Sequence, residues 1–414
     1  MKPIRTTPGA RPTILALAVA TMMLVATACG GSDTDSGTGS DGKNGTKASA
    51  QGGASASPSP AAVVSVTPKN GASGVETTGA LKVSAAKGTL TSVVVKDGKG
   101  NKVDGAISTD GTGWAPSGTL AASTKYTVDA VAKDTSGLKS TKHSTFTTVR
   151  PAATFVGYYT PENGQTVGTG MEVSLNFNHA ITNKKAIEKA VKVTADPSVE
   201  VVGHWYGNQR IDFRPKEYWA AGTKVTLSLR LNGVKGASGT YGTQSKDVHF
   251  TVGRSQVSIV DSAAHTMKVY RGGKLVRTIP ITSGAPSTTT YNGKMVITEK
   301  YTEKRMNGDT VGFEGQYDIP DVPHAMRLTT SGTFVHGNYW ASSSTFGNSN
   351  VSHGCVGLRD VKGAGDSSTP AAWFYNSSII GDVVQVKNSH DKTVAWYNGL
   401  NGWNMAWSDW TKAS

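Results

Sequence analysis

Residues 334–360 read FVHGNYWASSSTFGNSNVSHGCVGLRD, a stretch that holds His336, His353 and Cys355 among small and polar residues. Cys355 is one of 2 cysteines in the 414-residue chain. The other, Cys29, ends an N-terminal apolar segment, so a disulfide between them is a poor explanation. Cys355 lies between glycine and valine, two residues after His353 and nineteen after His336. A lone thiol among imidazoles is placed for nucleophilic work, because the thiolate attacks carbonyl carbon and an imidazole can take the proton. Pairing with an imidazole is expected to lower the thiol pKa enough to make most of it reactive.

The local pattern predicts a strand over 352–355, which would put His353 and Cys355 on one face. Gly354 would let backbone approach a substrate closely. The amides of His353, Gly354 and Cys355 would then form an oxyanion hole. Gly337 can offer His336 only its backbone carbonyl as an orienting partner. Around this stretch, residues 255–387 read as a β-rich module, with strands expected at 257–261, 266–270, 275–281, 293–298 and 383–386. A short helix is expected near 369–375, where Pro370 suits the first turn.

Upstream, two modules resemble each other. Thr67-Pro68-Lys69-Asn70-Gly71 recurs as Thr160-Pro161-Glu162-Asn163-Gly164. Trp114-Ala115-Pro116 recurs as Phe213-Arg214-Pro215, and each module closes on an alternating strand, 144–149 and 247–252. A repeat near a hundred residues, with Asn-Gly turns and many short strands, points to two immunoglobulin-like β-sandwiches, 62–150 and 151–253. Residues 93–95, 173–177 and 225–229 supply candidate inward faces. The fold expected is therefore mainly β: two sandwiches, a β-rich domain at 254–389, and a short helical tail at 390–414. In that tail Trp403, Trp407 and Trp410 fall at helical spacing, a stripe read as packing rather than as a sugar platform.

Residues 1–29 read as a leader: Lys2, Arg5 and Arg11 are its positive region, 14–26 its apolar one, and Ala26-Thr27-Ala28-Cys29 its boundary. Small residues before a cysteine resemble a bacterial lipobox, with Cys29 as the lipidated residue. Residues 30–61 are nearly all Gly, Ser, Ala, Asp, Thr and Lys, a composition expected to form a disordered tether spanning roughly 30 Å. The formal net charge is +13, of which three charges belong to the leader. No dense basic cluster interleaved with aromatics, zinc-finger spacing or helix-turn-helix pattern accompanies it, so nucleic acid is not the expected partner. Charges spread through an exported chain fit anionic wall polymers instead.

Beyond its residue types, the 334–360 stretch resembles the active-site signature of the L,D-transpeptidases, the YkuD-type enzymes. That signature is a histidine, a spacer of about fifteen residues, then Ser/Thr-His-Gly-Cys. Here His336 opens it and Ser352-His353-Gly354-Cys355 closes it. Ile259-Val260-Asp261 with Met267-Lys268-Val269-Tyr270, the IPITSG run at 279–284, and Gly399-Leu400-Asn401-Gly402-Trp403-Asn404 resemble further parts of the actinobacterial lipoprotein type with tandem immunoglobulin-like domains. The resemblance implies a peptidoglycan transpeptidase that forms 3→3 cross-links between stem peptides through a cysteine thioester and expels D-alanine from a tetrapeptide donor.

It further implies Cys355 as nucleophile, His336 as general base and acid, and Met306, Tyr317, Trp340 and Ser352 as substrate-side residues. No cofactor is called for. Carbapenem β-lactams are the implied covalent inhibitors, and the outer face of the cell membrane, through the lipid anchor, is the implied location. One position departs: many relatives carry a polar residue two places after the cysteine, where this chain has Gly357, and any missing hydrogen bond would come from elsewhere, with Arg359 a candidate. Two other readings stay open on residues alone: a zinc site of His336, His353, Cys355 and His324, and a non-enzymatic wall-binding protein.

Overall fold

The repeated Thr-Pro-x-Asn-Gly segment closes the same turn twice. Asn70 Oδ1 accepts the Thr145 amide at 2.8 Å, and Asn163 Oδ1 accepts the His249 amide at 2.8 Å. The following glycines, Gly71 and Gly164, donate to Thr145 O and His249 O, each at 2.7 Å. Both glycines have left-handed φ, +78° and +80°, which a side chain would resist. Each turn thus ties the start of a module to its closing strand.

The computed structural model describes residues 59–412. The expected leader, Cys29 and nearly all of the tether lie outside the described residues. Among the described residues no helix is long and apolar enough to cross a membrane.

The first sandwich packs the sheet of Val63–Thr67, Lys82–Ala86, Gly113–Pro116 and Gly105–Ile107 on that of Ala72–Val75, Lys139–Thr148, Lys125–Lys133 and Thr89–Asp97. Alternation fills its core: Tyr126, Val128, Ala130 and Ala132 all point inward. The second sandwich does the same with Val173, Leu175 and Phe177 facing Val225, Leu227 and Leu229. Thr77 Oγ1 donates to Gly233 O at 2.7 Å, and Glu76 accepts from Lys235 and Tyr241, joining the two sandwiches.

The third domain is one nine-stranded sheet. Its strands are β1 (Gln256–Asp261), β2 (Thr266–Arg271), β3 (Lys274–Thr282), β4 (Gly293–Val296), β5 (Glu299–Asn307), β6 (Asp318–Arg327), β7 (Phe334–Asn338), β8 (Val356–Arg359) and β9 (Val383–Lys387), in spatial order β4-β9-β1-β2-β3-β8-β7-β6-β5. Gly272-Gly273, at φ +52° and +77°, makes the two-residue β2–β3 turn, where both positions need positive φ. Most neighbours are antiparallel, but β1 with β9 and β7 with β8 run parallel. Parallel neighbours need a crossover of a dozen or more residues. Residues 339–355 are that crossover. The helix Pro370–Ser377, capped by Thr369, packs behind β6, β7 and β8.

The tail works as a staple. Leu400 and Trp403 belong to the core of the second sandwich. Trp403 Nε1 donates to Gly170 O at 2.7 Å and Trp410 Nε1 to Val202 O at 2.9 Å. On the other side Asn401 Oδ1 accepts the Val296 amide at 3.1 Å and Asn404 Oδ1 the Lys294 amide at 2.8 Å. The tryptophans therefore pack the tail, as their spacing predicts, but the helix is only Trp407–Trp410, and Trp403 sits in the separate 3-10 turn Gly402–Asn404. Asn401 and Asn404 cover backbone amides on the open edge of β4.

Candidate active site

Parallel pairing brings the two ends of the signature together. Val335 pairs with Val356 and His336 with Gly357, so Cys355, one residue before β8, lies beside Phe334. The Phe334 amide meets Cys355 Sγ at 3.4 Å, and Sγ reaches Gly332 O at 3.7 Å. Those are the hydrogen-bond partners of the thiol, not the His336 ring. His336 and Cys355 instead share the wall of one cavity of about 310 Å³ with Met306, Tyr317, Trp340, Ser352 and His353. Met306 comes from β5, and Tyr317 from the loop before β6, so this hairpin roofs the cavity.

His336 is buried and its orientation is fixed. Nδ1 donates to Gly337 O at 2.7 Å, which leaves Nε2 as the basic nitrogen, and Trp340 stacks on the ring at 5.7 Å. Gly337 admits no side chain, because a Cβ there would lie 2.0 Å from Asp360 Oδ2. Burial lowers the His336 pKa, against opposing contributions from the Gly337 carbonyl and the Asp360 carboxylate.

The thiol does not rest as an anion. Cys355 is half-buried as a residue, yet its sulfur is enclosed, and the sulfur's own surroundings govern its proton. Burial pushes the thiol up to about 11, against a smaller opposing effect of the Phe334 amide. The expected depressed thiol is therefore corrected. Low local polarity disfavours the thiolate and the imidazolium alike, so the resting pair is neutral.

The strand expected over 352–355 is also corrected. Only Ser352 makes an isolated bridge, to Gly284, and β8 begins at Val356. Gly354, at φ +113°, turns the chain out of extended geometry. Ser352 Oγ donates to Cys355 O at 2.6 Å and accepts the Gly354 amide at 3.2 Å, bracing that bend. Gly354 N–H is thus already engaged. His353 is exposed, with its ring 4.9 Å from Tyr317 and 5.4 Å from Phe313.

Gly357 has a steric reason: a Cβ would sit 2.8 Å from Thr282 Cγ2. Arg359 is exposed. His324 lies away from the proposed zinc ligands and pairs with Asp360 at 2.8 Å. Among the described residues, no three His, Cys, Asp or Glu side chains could share a metal ion. Sequence reasoning missed Asp360, Phe313 and the Gly332 carbonyl, because their contacts arise from register and loop placement that spacing does not encode.

A cysteine and a tautomer-fixed histidine lining an apolar cavity form the site of a cysteine acyltransferase. Residues 255–386 match the model described as the L,D-transpeptidase catalytic domain, and residues 72–235 match that of a bacterial Ig domain. L,D-transpeptidase 2 of Mycobacterium tuberculosis (strain CDC 1551 / Oshkosh) is 32% identical over 346 residues, covering 82% of each chain. L,D-transpeptidase 5 of Mycobacterium tuberculosis (strain ATCC 25618 / H37Rv) is 30% identical over 84% of this chain and 76% of its own. The crystal structure of L,D-transpeptidase 3 from Mycobacterium tuberculosis, in complex with a faropenem-derived adduct, covers 56% of this chain and 97% of its own, at 27% identity and a TM-score of 0.46. The chain belongs to the L,D-transpeptidase family.

A neutral resting thiol has an optical consequence. With the pKa at about 11, only roughly one thiol in 10,000 is ionised at pH 7, and the thiolate appears as pH rises. The ultraviolet thiolate absorbance of wild type minus Cys355→Ala should be absent at neutral pH and grow in the alkaline range. A full thiolate signal at neutral pH would contradict the burial argument.

Proposed function

We propose that this chain forms 3→3 cross-links in peptidoglycan through a thioester on Cys355. The observation that carries the reading is that the Cys355 thiol and a His336 ring with its Nε2 unprotonated line one cavity, in a member of this family. Cys355 attacks the carbonyl between the third and fourth residues of a donor stem peptide as His336 Nε2 takes the thiol proton. Proton transfer within the attack removes the need for a standing thiolate. The carbon–nitrogen bond breaks, D-alanine leaves as its amine after receiving that proton, and the acyl group stays on sulfur. The side-chain amine of a second stem then attacks the thioester, and the thiol is restored.

Developing oxyanion charge falls to the amides of His353 and Cys355, since that of Gly354 holds Ser352 Oγ. Met306, Tyr317 and Trp340 supply apolar walls for the donor. Burial and the nearby Cys355 push the Tyr317 phenol up to about 12, which keeps it a neutral donor. The same chemistry fits the strained acyl carbon of a β-lactam, and carbapenems are the proposed covalent inhibitors.

Incubation with a disaccharide tetrapeptide tests the reading. Wild type should release D-alanine and form a dimer of two substrates less one D-alanine, and Cys355→Ala should form none. Loss of D-alanine without dimer, or dimer from Cys355→Ala, would overturn it.

We also propose that Cys29 is acylated and anchors the chain outside the cell membrane, with residues 30–61 as spacer; the motivation is the lipobox-like boundary. Cys29→Ala should leave the protein out of the detergent phase on membrane extraction. Unchanged partitioning would sink the anchor.

A further inference from the structure

Directly beneath β7, on the face away from the cavity, lies a buried histidine–carboxylate pair. His324 Nδ1 meets Asp360 Oδ2 at 2.8 Å, and the Asp360 side chain has no exposed surface. The other carboxylate oxygen accepts from Thr369 Oγ1 at 2.9 Å and from the Val361 amide at 2.9 Å. Thr369 also caps the helix behind the sheet, and the His324 ring rests on Tyr375 of that helix at 5.0 Å. His324 holds φ at +49°, left-handed for a residue within β6.

The pair brings two costs. A buried carboxylate loses its hydration, and a well-packed apolar pair would often serve stability as well. A left-handed non-glycine inside a strand adds backbone strain. Costs of this kind collect at functional sites. What the pair faces supplies the function: only the Cβ-less Gly337 separates Oδ2 from the peptide whose carbonyl holds His336.

We propose that Asp360, held by His324 and Thr369, is a positioning residue for His336, steadying the Gly337 peptide and stabilising the imidazolium that forms when Cys355 gives up its proton. The inference rests on the reading of Cys355 as nucleophile and His336 as base. Stabilisation acts across one glycine, so it needs neither substrate contact nor a hydrogen bond to the ring. The Asp360 carboxylate does favour protonated His336. The other titratable or charged groups around this imidazole are the Cys355 thiol, Tyr317 and His353 on the cavity side and His324 beneath. Asp321 on β6, outside the cavity lining, is bonded to Tyr339 at 2.6 Å and paired with Lys362 at 3.3 Å. Among them Asp360 is the buried carboxylate.

The test is the pH dependence of carbapenem acylation in the full chain, each rate normalised to the fraction of protein acylated at completion. The acidic limb reports His336 losing its proton. Asp360→Asn keeps shape and hydrogen-bonding capacity while removing the charge. Without that charge the imidazolium is less favoured, so the limb should move to lower pH by on the order of half a unit or more. The normalised rate above the limb should fall about two- to threefold, as the base weakens.

His324→Asn suits the left-handed backbone and removes the ring that holds the carboxylate. It should move the limb the same way, and it decides the matter if Asp360→Asn does not fold. A limb that stays at the wild-type pH in the folded variants overturns the proposal, because a merely structural role changes the folded fraction and not the limb. Failure of the wild type to acylate, or acylation of Cys355→Ala, would instead remove the nucleophile reading beneath it.

Discussion

The parallel pairing of β7 with β8 is the constraint on which the site depends. It sets Val335 against Val356 and His336 against Gly357, and so delivers a thiol and an imidazole from residues nineteen apart to one cavity wall. Parallel neighbours cannot be joined by a tight turn, which gives the polar 339–355 segment its length. The same register explains both glycines on these strands. Gly337 faces Asp360 beneath the sheet, and Gly357 faces Thr282 on the cavity side; a Cβ at either would collide.

Electrostatics follow from that placement. Burial at the edge of the cavity raises the thiol pKa and lowers that of the imidazole. A neutral pair is less nucleophilic at rest, but in the proposed mechanism its charge separation is confined to the attack. The Gly337 carbonyl holds the Nδ1 proton, and Asp360 lies behind it. The sandwiches stand apart from this chemistry, yet they are not loosely hung. Trp403 and Trp410 on one side, and Asn401 and Asn404 on the other, make the second sandwich and the catalytic sheet share a wall.

Much of this was legible from local chemistry. The Thr-Pro-x-Asn-Gly repeats announced two sandwiches because an Asn side chain and a left-handed glycine define their turn. His336 and Cys355 stood out because few side chains do nucleophilic work, and the Gly337 carbonyl followed from the lack of any other partner there. What escaped was set by tertiary surroundings. The expected strand over 352–355 fails because Gly354 adopts φ +113°, a choice open only to glycine and invisible in alternation. The thiol pKa depends on enclosure, which no neighbour in sequence reveals. Asp360 and His324, thirty-six residues apart, meet only through the order β8-β7-β6, and from sequence His324 stood out only as a candidate zinc ligand.

The most direct test of the account is intact and peptide-level mass analysis after carbapenem treatment. The account predicts a gain of one inhibitor mass, carried by the peptide containing Cys355, absent in Cys355→Ala, and acquired far more slowly when His336 is replaced. An adduct on a serine, Ser352 included, or equal labelling of Cys355→Ala, would contradict it.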